Sequence, residues 1–558
     1  MDDVDAVQAQ IARNMLQSGD WVTARLDGVA YLEKSPLKYW MMAVSFKVFG
    51  PHDWAARLPI GLATVLLCWV VARFGAWAFS ERAGLYAGLV MATSIGLFLF
   101  TRILIPDVIL TLTITIAMWG LLRALDEGER RPGAWAIAMW ASMGTGLLLK
   151  GLIAAAFPVA AGLIYLALTR QLFVRKTWMR LRPFAGIAVA LLIAAPWHVL
   201  ATLRNPPHFD FTMHSESGSY HGFFWFYFIN EHVLRFLNLR YPRDYNTVPR
   251  LWFWLFHLLW FFPWSLYFAS AWKLSYRQPD RASHARLLAL CWCGFILVFF
   301  TFSTTQEYYS MPAYPALVLL LGSAMAADPE GAPARWATRT AAVIAGVAAV
   351  AIAAILWMVR GMAAPGDISV ALNSNPELYT LSLGHMTDLT LRAFAYLKLP
   401  LAVAGVAFAV GAVGGWTRRS TAAFVVMMVL FFHAARLALV VFDPYLSSRP
   451  LAEALLEAPP GKLIVDDQYY TFSSIFFYTN RRALLLNGRV NNLEYGSYAP
   501  DAPRDVFIQD ADLARLWASG ERCYLVAEGP RMPKIREIVG NKLVTVRASG
   551  GKFLVTNF

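Results

Sequence analysis

The chain has 558 residues, of which 58% are hydrophobic and 15% charged, and its mean hydropathy is +0.47. Soluble globular proteins carry about 25% charged residues, so the composition excludes that class and indicates a polytopic membrane protein. The net charge of +13 does not indicate nucleic-acid binding, because the basic residues form short clusters between apolar runs. The four cysteines are too scattered for a disulfide framework or a metal site.

Segment 1–54 begins with a carboxylate cluster, Asp2, Asp3 and Asp5. Apolar residues follow at helical spacing, which predicts an amphipathic helix lying along the membrane interface. A helix cap is the better explanation for a single Asp at such a start. A cluster exceeds what a cap needs, and its repulsion requires a cation, a metal or a shared proton. Asp2 and Asp3 are therefore candidate catalytic residues.

The same segment continues with "DGVAYLEKSPLKYW", in which Glu33 and Lys34 stand side by side. A surface ion pair is one explanation, and such pairs contribute little stability. The alternative is a lipid-phosphate site in which Lys34 contributes its charge while Tyr31 and Glu33 lie beside it.

Twelve apolar runs between residues 55 and 442 are long enough to cross a bilayer, since a spanning helix needs roughly 20 residues. The predicted spans lie at about 55 to 78, 84 to 101, 107 to 124, 133 to 149, 152 to 169, 184 to 203, 250 to 271, 286 to 303, 308 to 326, 338 to 358, 394 to 415 and 421 to 442. Residues 55–442 are thus predicted to form a transmembrane bundle that includes an outward loop at 204–249.

Ionisable and aromatic residues stand at several predicted span ends. Asp107 opens the third span, and Lys150 separates the fourth from the fifth. Helix capping explains both about as well as function does, but an ionisable group at membrane depth is a functional hypothesis by default. Asp107 is therefore a third candidate catalytic residue, and Lys150 is a candidate substrate-binding residue. Tyr308 and Tyr309 stand at another span end, where an aromatic belt is the safer explanation.

The loop 204–249 contains the stretch "NEHVLRF" among many aromatic residues. An interfacial helix anchored by those aromatics explains the stretch. His232 and Arg235 are three residues apart and would share one face of such a helix. That face could bind an anionic head group.

Lysines and arginines near span ends mark the cytoplasmic side of a membrane protein. They concentrate in alternate loops, at Arg82; Arg130 and Arg131; Arg170, Arg175, Lys176, Arg180 and Arg182; Lys273, Arg277 and Arg281; Arg335; and Arg418 and Arg419. Segment 1–54, the loops 204–249 and 359–392, and the C-terminal part therefore face outward. From about residue 443 the short runs "KLIVDD" and "CYLVAE" alternate with amphipathic stretches such as "DADLARLWASG", which predicts a small periplasmic α/β domain over 443–558.

Chemistry on the outward side is separated from cytosolic nucleotides. The sequence has neither a phosphate-binding glycine loop nor a dinucleotide fingerprint, so an enzyme here would take its activated substrate from the lipid. Asp3 and Asp5 form the DxD pattern that many soluble glycosyltransferases use to hold a metal on a nucleotide. That interpretation has little weight, because the segment faces away from the nucleotide pool.

Several stretches together resemble one family. The acidic start, "IARNMLQSGDWVTARLDGVAYLEKSPLKYW", "AARLP", an Asp that opens a later span, "LLLKG", "NEHVLRF" and "PWS" are similar to the lipid-carrier-dependent GT-C glycosyltransferases of the ArnT type, with protein O-mannosyltransferases as more distant relatives. The resemblance implies a bundle of thirteen helices in which a first helix precedes the acidic motif. That helix is expected to be missing from this chain.

The resemblance further implies an inverting glycosyltransferase in the bacterial inner membrane. It would move a sugar, with 4-amino-4-deoxy-L-arabinose as the candidate, from undecaprenyl phosphate to lipid A or a related envelope acceptor at the periplasmic face. Asp2 or Asp3 would orient or deprotonate the acceptor, and Lys34, Lys150 and Arg235 would stabilise the departing phosphate. Asp107 and Glu33 would hold these cations or a divalent metal, the one cofactor considered.

Two alternatives remain open. A transporter or flippase for lipid-linked sugars would also explain the spans and the charges within them, although inverted repeats are not evident. A GT-C enzyme that glycosylates protein or another glycan would share the donor and differ in the acceptor. The chain departs from the family pattern at "VDAVQAQ" and at Gln306 and Glu307, which leaves the acceptor open.

Overall fold

A computed structural model describes residues 1–243, 247–303, 305–372, 388–540 and 542–558. Of the predicted outward loops, 204–249 therefore lies partly outside the described residues at 244–246, and 359–392 lies partly outside them at 373–387. The fold is a bundle of apolar helices, with a smaller unit of helices and strands formed by the C-terminal residues.

The N-terminal segment consists of two helices joined by a short hairpin. These elements are α1 (Asp3–Ser18), β1 (Arg25–Leu26), β2 (Val29–Ala30) and α2 (Leu37–Phe49). Helix α1 begins at the N-cap residue Asp2 and ends where Gly19 adopts a left-handed conformation that suits glycine. Its apolar side, with Val7 and Ile11, is buried in the core. The predicted amphipathic helix is therefore confirmed.

The bundle follows in chain order. Its helices are α3 (Asp53–Ala78), α4 (Glu81–Ala92), α5 (Ile95–Phe100), α6 (Asp107–Leu125), α7 (Pro132–Lys150), α8 (Ile153–Leu168), α9 (Arg175–Leu181), α10 (Pro183–Arg204), α11 (Gly222–Phe224), α12 (Arg250–Trp260), α13 (Phe268–Ala271), α14 (Arg281–Phe302), α15 (Tyr314–Ala327), α16 (Ala332–Val359), α17 (Lys398–Gly414) and α18 (Ser420–Leu446).

Within the described residues, seven helical stretches are long and apolar enough to cross a membrane. They are Asp53–Ala78, Asp107–Leu125, Arg175–Arg204, Arg281–Phe302, Glu307–Ala327, Ala332–Val359 and Ser420–Leu446. The count becomes eight if Arg250–Trp260 and Trp264–Ala271, which meet at a bend of 97°, form one broken span. Each of these coincides with a predicted span, so the polytopic helical class is confirmed while the count of twelve stays a prediction.

The remaining four predicted spans fall on shorter or less apolar helices. The span at 84 to 101 is divided between α4 and α5, because the chain breaks at Thr93 and Ser94. Helices α8 and α17 are apolar but have only 16 and 17 residues. Helix α7 has 19 residues, but it is less apolar than the seven long helices that could cross a membrane. Hydropathy alone therefore locates the apolar runs better than it locates helix ends.

The predicted interfacial helix in the 204–249 loop is a π-helix, Trp225–Leu234. Its i→i+5 hydrogen bonds widen each turn, so residues three apart do not lie above one another. His232 and Arg235 have separate hydrogen-bond partners, and the face that they were predicted to share stays a prediction. The rings of Trp197, His198, Phe223, Phe224 and Tyr495 pack against rings of this segment, which explains its burial.

The C-terminal residues form a six-stranded sheet covered by helices. Its elements are α19 (Arg449–Glu457), β3 (Lys462–Asp466), α20 (Ser473–Thr479), β4 (Leu484–Leu486), α21 (Asn491–Ser497), β5 (Phe507–Ile508), α22 (Asp510–Ala518), β6 (Cys523–Glu528), α23 (Met532–Val539), β7 (Val544–Ser549) and β8 (Lys552–Thr556). The strand order is β5-β4-β3-β6-β8-β7, parallel from β5 to β6 and antiparallel at β8 and β7. Both quoted strand-like runs and the quoted amphipathic stretch lie in such elements.

Helix α1 lies between the bundle and the C-terminal unit. It packs against α2 on one side and against α20 on the other. Buried apolar residues of the bundle, of α1 and of the C-terminal unit belong to one continuous core. The position of α1 is therefore fixed from both sides, and with it the carboxylates at its start.

Candidate functional site

Charged side chains from four elements meet beside α1. They come from the segment before α2, the start of α6, the end of α7 and the π-helix. Two linked groups of contacts can be distinguished, one centred on the carboxylates Glu33 and Glu231 and the other on the pair Asp107–Lys150.

The first group is built around Glu33, whose side chain is only 4% exposed. It accepts hydrogen bonds from Tyr31 Oη at 3.1 Å and from the Asn492 amide, and Arg240 lies at 3.1 Å. Lys34 Nζ lies 3.5 Å from its Oε2. Glu33 is therefore a buried carboxylate that is neutralised mainly by an arginine, with Lys34 at its edge.

Glu231 is the second carboxylate of this group. Arg240 donates to it, Arg235 donates at 2.7 Å, and Lys34 Nζ lies at 3.8 Å. Burial alone would raise the pKa of Glu231, but the three cations outweigh burial and hold it well below its ordinary value. Lys34 thus stands between two ionised carboxylates, at distances longer than ordinary hydrogen bonds.

The second group joins α6 and α7. Lys150 Nζ contacts Asp107 Oδ1 at 2.5 Å, and the Asp107 side chain is 2% exposed. The ammonium also lies 5.0 and 4.7 Å from the ring centroids of Tyr308 and Tyr309, a cation–π arrangement. Tyr309 Oη accepts from Arg235 at 2.9 Å, which links the two groups.

Asp107 Oδ2 is buried and has no hydrogen-bond partner among the described residues. Buried polar atoms are almost always paired with protein or with water, so this oxygen is available to accept a hydrogen bond from a bound molecule. It lies on a carboxylate whose other oxygen is already held by a cation, which fixes its direction.

Lys38 is a site residue that the sequence analysis missed. Its ammonium is buried and donates to Gln8 Oε1 at 2.5 Å and to the Leu104 carbonyl at 2.9 Å. Burial lowers the pKa of Lys38 to about 7; the charge of Lys34 acts in the same direction, and those of Asp5 and Asp107 oppose it. Its place four residues after Lys34 was the signal that could have indicated it.

Asp2, Asp3 and Asp5 of the acidic cluster contact three different sets of partners. Asp3 binds Lys552 Nζ at 2.6 Å, the Ser448 hydroxyl at 2.9 Å and the Ser474 main-chain N–H at 2.8 Å. All of these partners belong to the C-terminal residues. Asp3 thus ties α1 to them, and the cation required by the clustered charge is Lys552.

Asp5 and Asp2 have other roles. Asp5 accepts from the Leu104 main-chain N–H at 2.7 Å and binds Arg57. Asp2 caps α1 by accepting from the Asp5 main-chain N–H at 2.8 Å. Burial, with the nearby charge of Asp5 in second place, raises the pKa of Asp2 to about 7.

His232 braces the end of α7. Its Nδ1 donates to the Tyr227 carbonyl at 2.6 Å, which leaves Nε2 to accept from the Leu152 main-chain N–H at 3.1 Å. Gly151 between them has φ +72°, and an added Cβ would approach His232 Nε2 to 2.3 Å. The histidine therefore supports the turn that follows Lys150.

The structure brings most of the predicted site residues together and separates a few. The residues that meet are Tyr31, Glu33, Lys34, Asp107, Lys150, Arg235, Tyr308 and Tyr309. His232 lies behind them, and Asp3 points to the C-terminal residues. Glu231, Arg240, Lys38 and Arg57 complete the arrangement, and "AARLP" and "NEHVLRF" held the signals for two of them.

The residues present do not fit a metal ion. No group of three or more His, Cys, Asp or Glu side chains in the described ranges is arranged to hold one. Glu33 and Asp107, the candidate ligands, are each bound to protein cations. No step is therefore assigned to a metal.

A solved structure and a family model match this chain. The chain superimposes on ArnT from Cupriavidus metallidurans bound to undecaprenyl phosphate with a TM-score of 0.77, at 23% identity, covering 99% of this chain and 93% of that one. Residues 33–199 match the family described as dolichyl-phosphate-mannose-protein mannosyltransferase. That range contains Lys34, Lys38, Asp107 and Lys150.

Curated relatives are similar to this chain in sequence. The chain is 29% identical over 322 residues to the undecaprenyl phosphate-alpha-4-amino-4-deoxy-L-arabinose arabinosyl transferase of Aeromonas salmonicida, and 31% identical over 330 residues to that of Pseudomonas aeruginosa strain UCBPP-PA14. These matches cover 56% and 57% of this chain and 54% of each relative. The chain thus spans about half the length of the curated relatives it matches. The resemblance to ArnT-type GT-C glycosyltransferases is confirmed.

Proposed function

We propose that the protein is a glycosyltransferase that moves a sugar from undecaprenyl phosphate to lipid A or a related envelope acceptor. The observation that carries the proposal is the placing of Lys34 and Lys150. Their side chains are 31% and 22% exposed, and each faces carboxylates in a largely buried site. Two partly accessible ammonium groups with spare N–H donors suit a phosphate.

The donor is supported by the relatives. Their names specify an undecaprenyl phosphate-linked 4-amino-4-deoxy-L-arabinose, and the protein of the same fold was crystallised with undecaprenyl phosphate. In this chain the carrier phosphate would lie against Lys34 and Lys150, with Arg235 and Tyr309 at its edge. The sugar identity follows from the names of the relatives alone, and the acceptor rests on the family resemblance of the sequence.

The proposed reaction is a single displacement at the anomeric carbon. The bond from that carbon to the phosphate oxygen breaks as the bond to the acceptor oxygen forms, and undecaprenyl phosphate leaves with the bonding electron pair. Lys34 and Lys150 stabilise the negative charge that develops on the phosphate. The acceptor proton, where the acceptor group carries one, passes to a carboxylate within hydrogen-bond reach.

Of the three carboxylates predicted to be catalytic, we place Asp107 against the acceptor. Its Oδ2 is a buried acceptor atom without a partner among the described residues. The contacts of Asp3 with Lys552 and Ser448 support a positioning role. Asp2 caps α1, and through that helix it sets where Asp5 and Gln8 lie.

The membrane arrangement is part of the proposal. We place the site on the periplasmic side of the inner membrane, with residues 1–54 and 443–558 on that side and twelve spans in 55–442. The count beyond the seven long helices is completed by the broken span of α12 and α13, by α4 and α5 together, and by α7, α8 and α17. Support comes from the basic residues of the alternate loops, which follow the positive-inside rule.

The test is mass spectrometry of lipid A from cells that express this chain. A sugar-sized mass is expected with the unchanged chain and is expected to be lost with Lys34→Met. Lys176→Met is the matched control, because that lysine is 69% exposed and pairs with Glu127, which follows the far end of α6 from Asp107. An unchanged product with Lys34→Met would contradict the assignment of the phosphate site.

A further inference from the structure

A cavity lies beside α1, where it is lined by Gln10, Asn14 and Ser18. It has a volume of about 390 Å³ and is enclosed by α1, the β1–β2 hairpin and the residues around α20. That size is typical of small-molecule sites. Its rim is exposed at Ser18 and Asn480, and its interior is buried.

The interior contains a hydrogen-bond acceptor without a partner. Gln10 is 6% exposed and lines the cavity, and its Oε1 has no hydrogen-bond partner among the described residues. The orientation of this amide is fixed by a chain of contacts. Asn14 Nδ2 donates to the Arg25 carbonyl at 2.9 Å, so Asn14 Oδ1 must accept from Gln10 Nε2, at 2.8 Å. Gln10 Oε1 is thereby left for a donor from outside the protein.

The cavity is also basic. Arg25, Arg481 and Arg482 line it, against the single carboxylate of Asp27. Arg25 is already engaged with Asp501 at 2.5 Å, but Arg481 Nη1 is buried without a partner in the described part of the chain. A guanidinium with an unpaired N–H favours a negatively charged ligand.

Aromatic rings supply an apolar wall. Tyr469 and Phe476 line the cavity and stack with their centroids 4.0 Å apart. Apolar and aromatic walls with a few placed polar groups are the usual form of a ligand site. We propose that this cavity binds an anionic group that also bears hydroxyls and a ring, as a sugar acid or a sugar phosphate does.

Such a ligand has one polar group for each of the two unpaired atoms, Arg481 Nη1 and Gln10 Oε1. The anionic group would accept from Arg481, and a hydroxyl would donate to Gln10 Oε1. A narrow gap shares Met15 and Thr23 with the cavity and extends to Tyr31 and Lys34. The ligand is either part of a glycolipid acceptor, which rests on the proposed function, or a free sugar phosphate.

The first experiment measures binding of glucose 6-phosphate, glucuronate, glucose and inorganic phosphate to the purified full chain by calorimetry. The two sugar anions are expected to bind saturably, with glucose and inorganic phosphate at least about tenfold weaker. Arg481→Gln and Gln10→Leu are each expected to weaken glucose 6-phosphate by about tenfold. Arg515→Gln, at an arginine that is 79% exposed, is the matched control.

Three results would overturn the proposal: no saturable binding, equal binding of glucose or of inorganic phosphate, or unchanged affinity in Arg481→Gln. Arg481 lies at the surface end of the cavity, so that variant tests the proposal even if Gln10→Leu fails to fold. Competition with lipopolysaccharide in detergent identifies the source. Displacement of glucose 6-phosphate assigns a glycolipid, and absence of displacement assigns a free sugar phosphate.

The outcome is separable from the proposed function. Lys34→Met is expected to abolish transfer while leaving glucose 6-phosphate affinity within about twofold of the unchanged chain, since Lys34 does not line the cavity. Binding that depends on Arg481 in a chain without transferase activity would support the site and reject the transferase.

Discussion

Two buried lysine–aspartate pairs in this molecule have nearly the same length and different surroundings. Lys150 contacts Asp107 at 2.5 Å, and Lys552 contacts Asp3 at 2.6 Å. Lys552 also donates to the Thr471 carbonyl at 2.7 Å and to Ser448 at 3.2 Å, and both Asp3 oxygens are bound. Asp107 keeps one oxygen unpaired in the described structure.

The difference indicates that Asp3–Lys552 is a structural pair, whereas Asp107–Lys150 is the pair proposed to be functional. A pair whose every atom is satisfied fixes two segments together and has nothing left to offer a ligand. A pair with a spare acceptor, a partly exposed ammonium and two aromatic rings beside it is prepared for a third partner. Burial and ion pairing alone would not have distinguished the two.

The largest expected effect is on stability at the structural pair. Lys552→Met leaves the Asp3 carboxylate buried without its cation, which is expected to lower the free energy of unfolding by about 3–5 kcal/mol. Denaturant titration in detergent measures it. Adding Asp3→Asn to this variant removes the unpaired charge and is expected to recover part of the loss, and a double variant no more stable than Lys552→Met would contradict the assignment.

At the functional pair the effect falls on turnover. Lys150→Met removes charge from the proposed leaving phosphate and is expected to reduce kcat by about 10²–10³-fold. Lys150→Met also leaves the buried Asp107 carboxylate without its cation, so the melting temperature is expected to fall as well, and turnover is compared at a temperature where the variant and the unchanged chain are both folded. Transfer of sugar in detergent and thermal unfolding measure the two. A variant that keeps its activity but loses its stability would place Lys150 with the structural pair.

A third prediction concerns the turn that holds Lys150. Gly151→Ala forces a side chain onto φ +72° and into contact with His232, and it is expected to cost about 1–3 kcal/mol and to reduce transfer. Gly218→Ala is the control, since it has φ +92° with nothing within 4 Å of the added Cβ. Equal effects of the two on transfer would show that the backbone strain, and not the brace, is responsible.

The last prediction is a pH dependence from Lys38. Its pKa is about 7 in the folded chain against 10.5 for an ordinary lysine, so between these limits the unfolded chain binds more protons and stability rises with pH. The gain is at most about 1.4 kcal/mol per pH unit. It is absent below pH 7 and complete near pH 10. Denaturant titrations at pH 7 and 9 should show the rise in the unchanged chain and not in Lys38→Met.

The sequence was informative where one residue type carries the signal. Apolar runs located the long spans, and an ionisable group at a span end marked Asp107 and Lys150 before any contact was known. Lys34 was found because it follows Glu33 directly. For Asp107 and Lys150 the indication was the energetic cost of placing a charge at membrane depth, which is visible in the sequence.

Partners distant in the chain could not be found this way. Lys552, the partner of Asp3, lies 549 residues away on a strand of a sheet whose register only the folded chain defines. Lys38 looks like an ordinary helix residue, because its burial depends on where Gln8 and Leu104 pack. The π-helix likewise has no sequence signature that distinguishes it from an α-helix.

The contact between Asp3 and Lys552 also sets an order of assembly during synthesis. Asp3 is translated 549 residues before its partner, and at roughly 5–20 residues per second that interval is on the order of one minute. Throughout it, Asp3 must remain without this cation while the bundle helices enter the membrane. The tie between α1 and the C-terminal sheet can therefore form only after translation has reached the strand that contains Lys552.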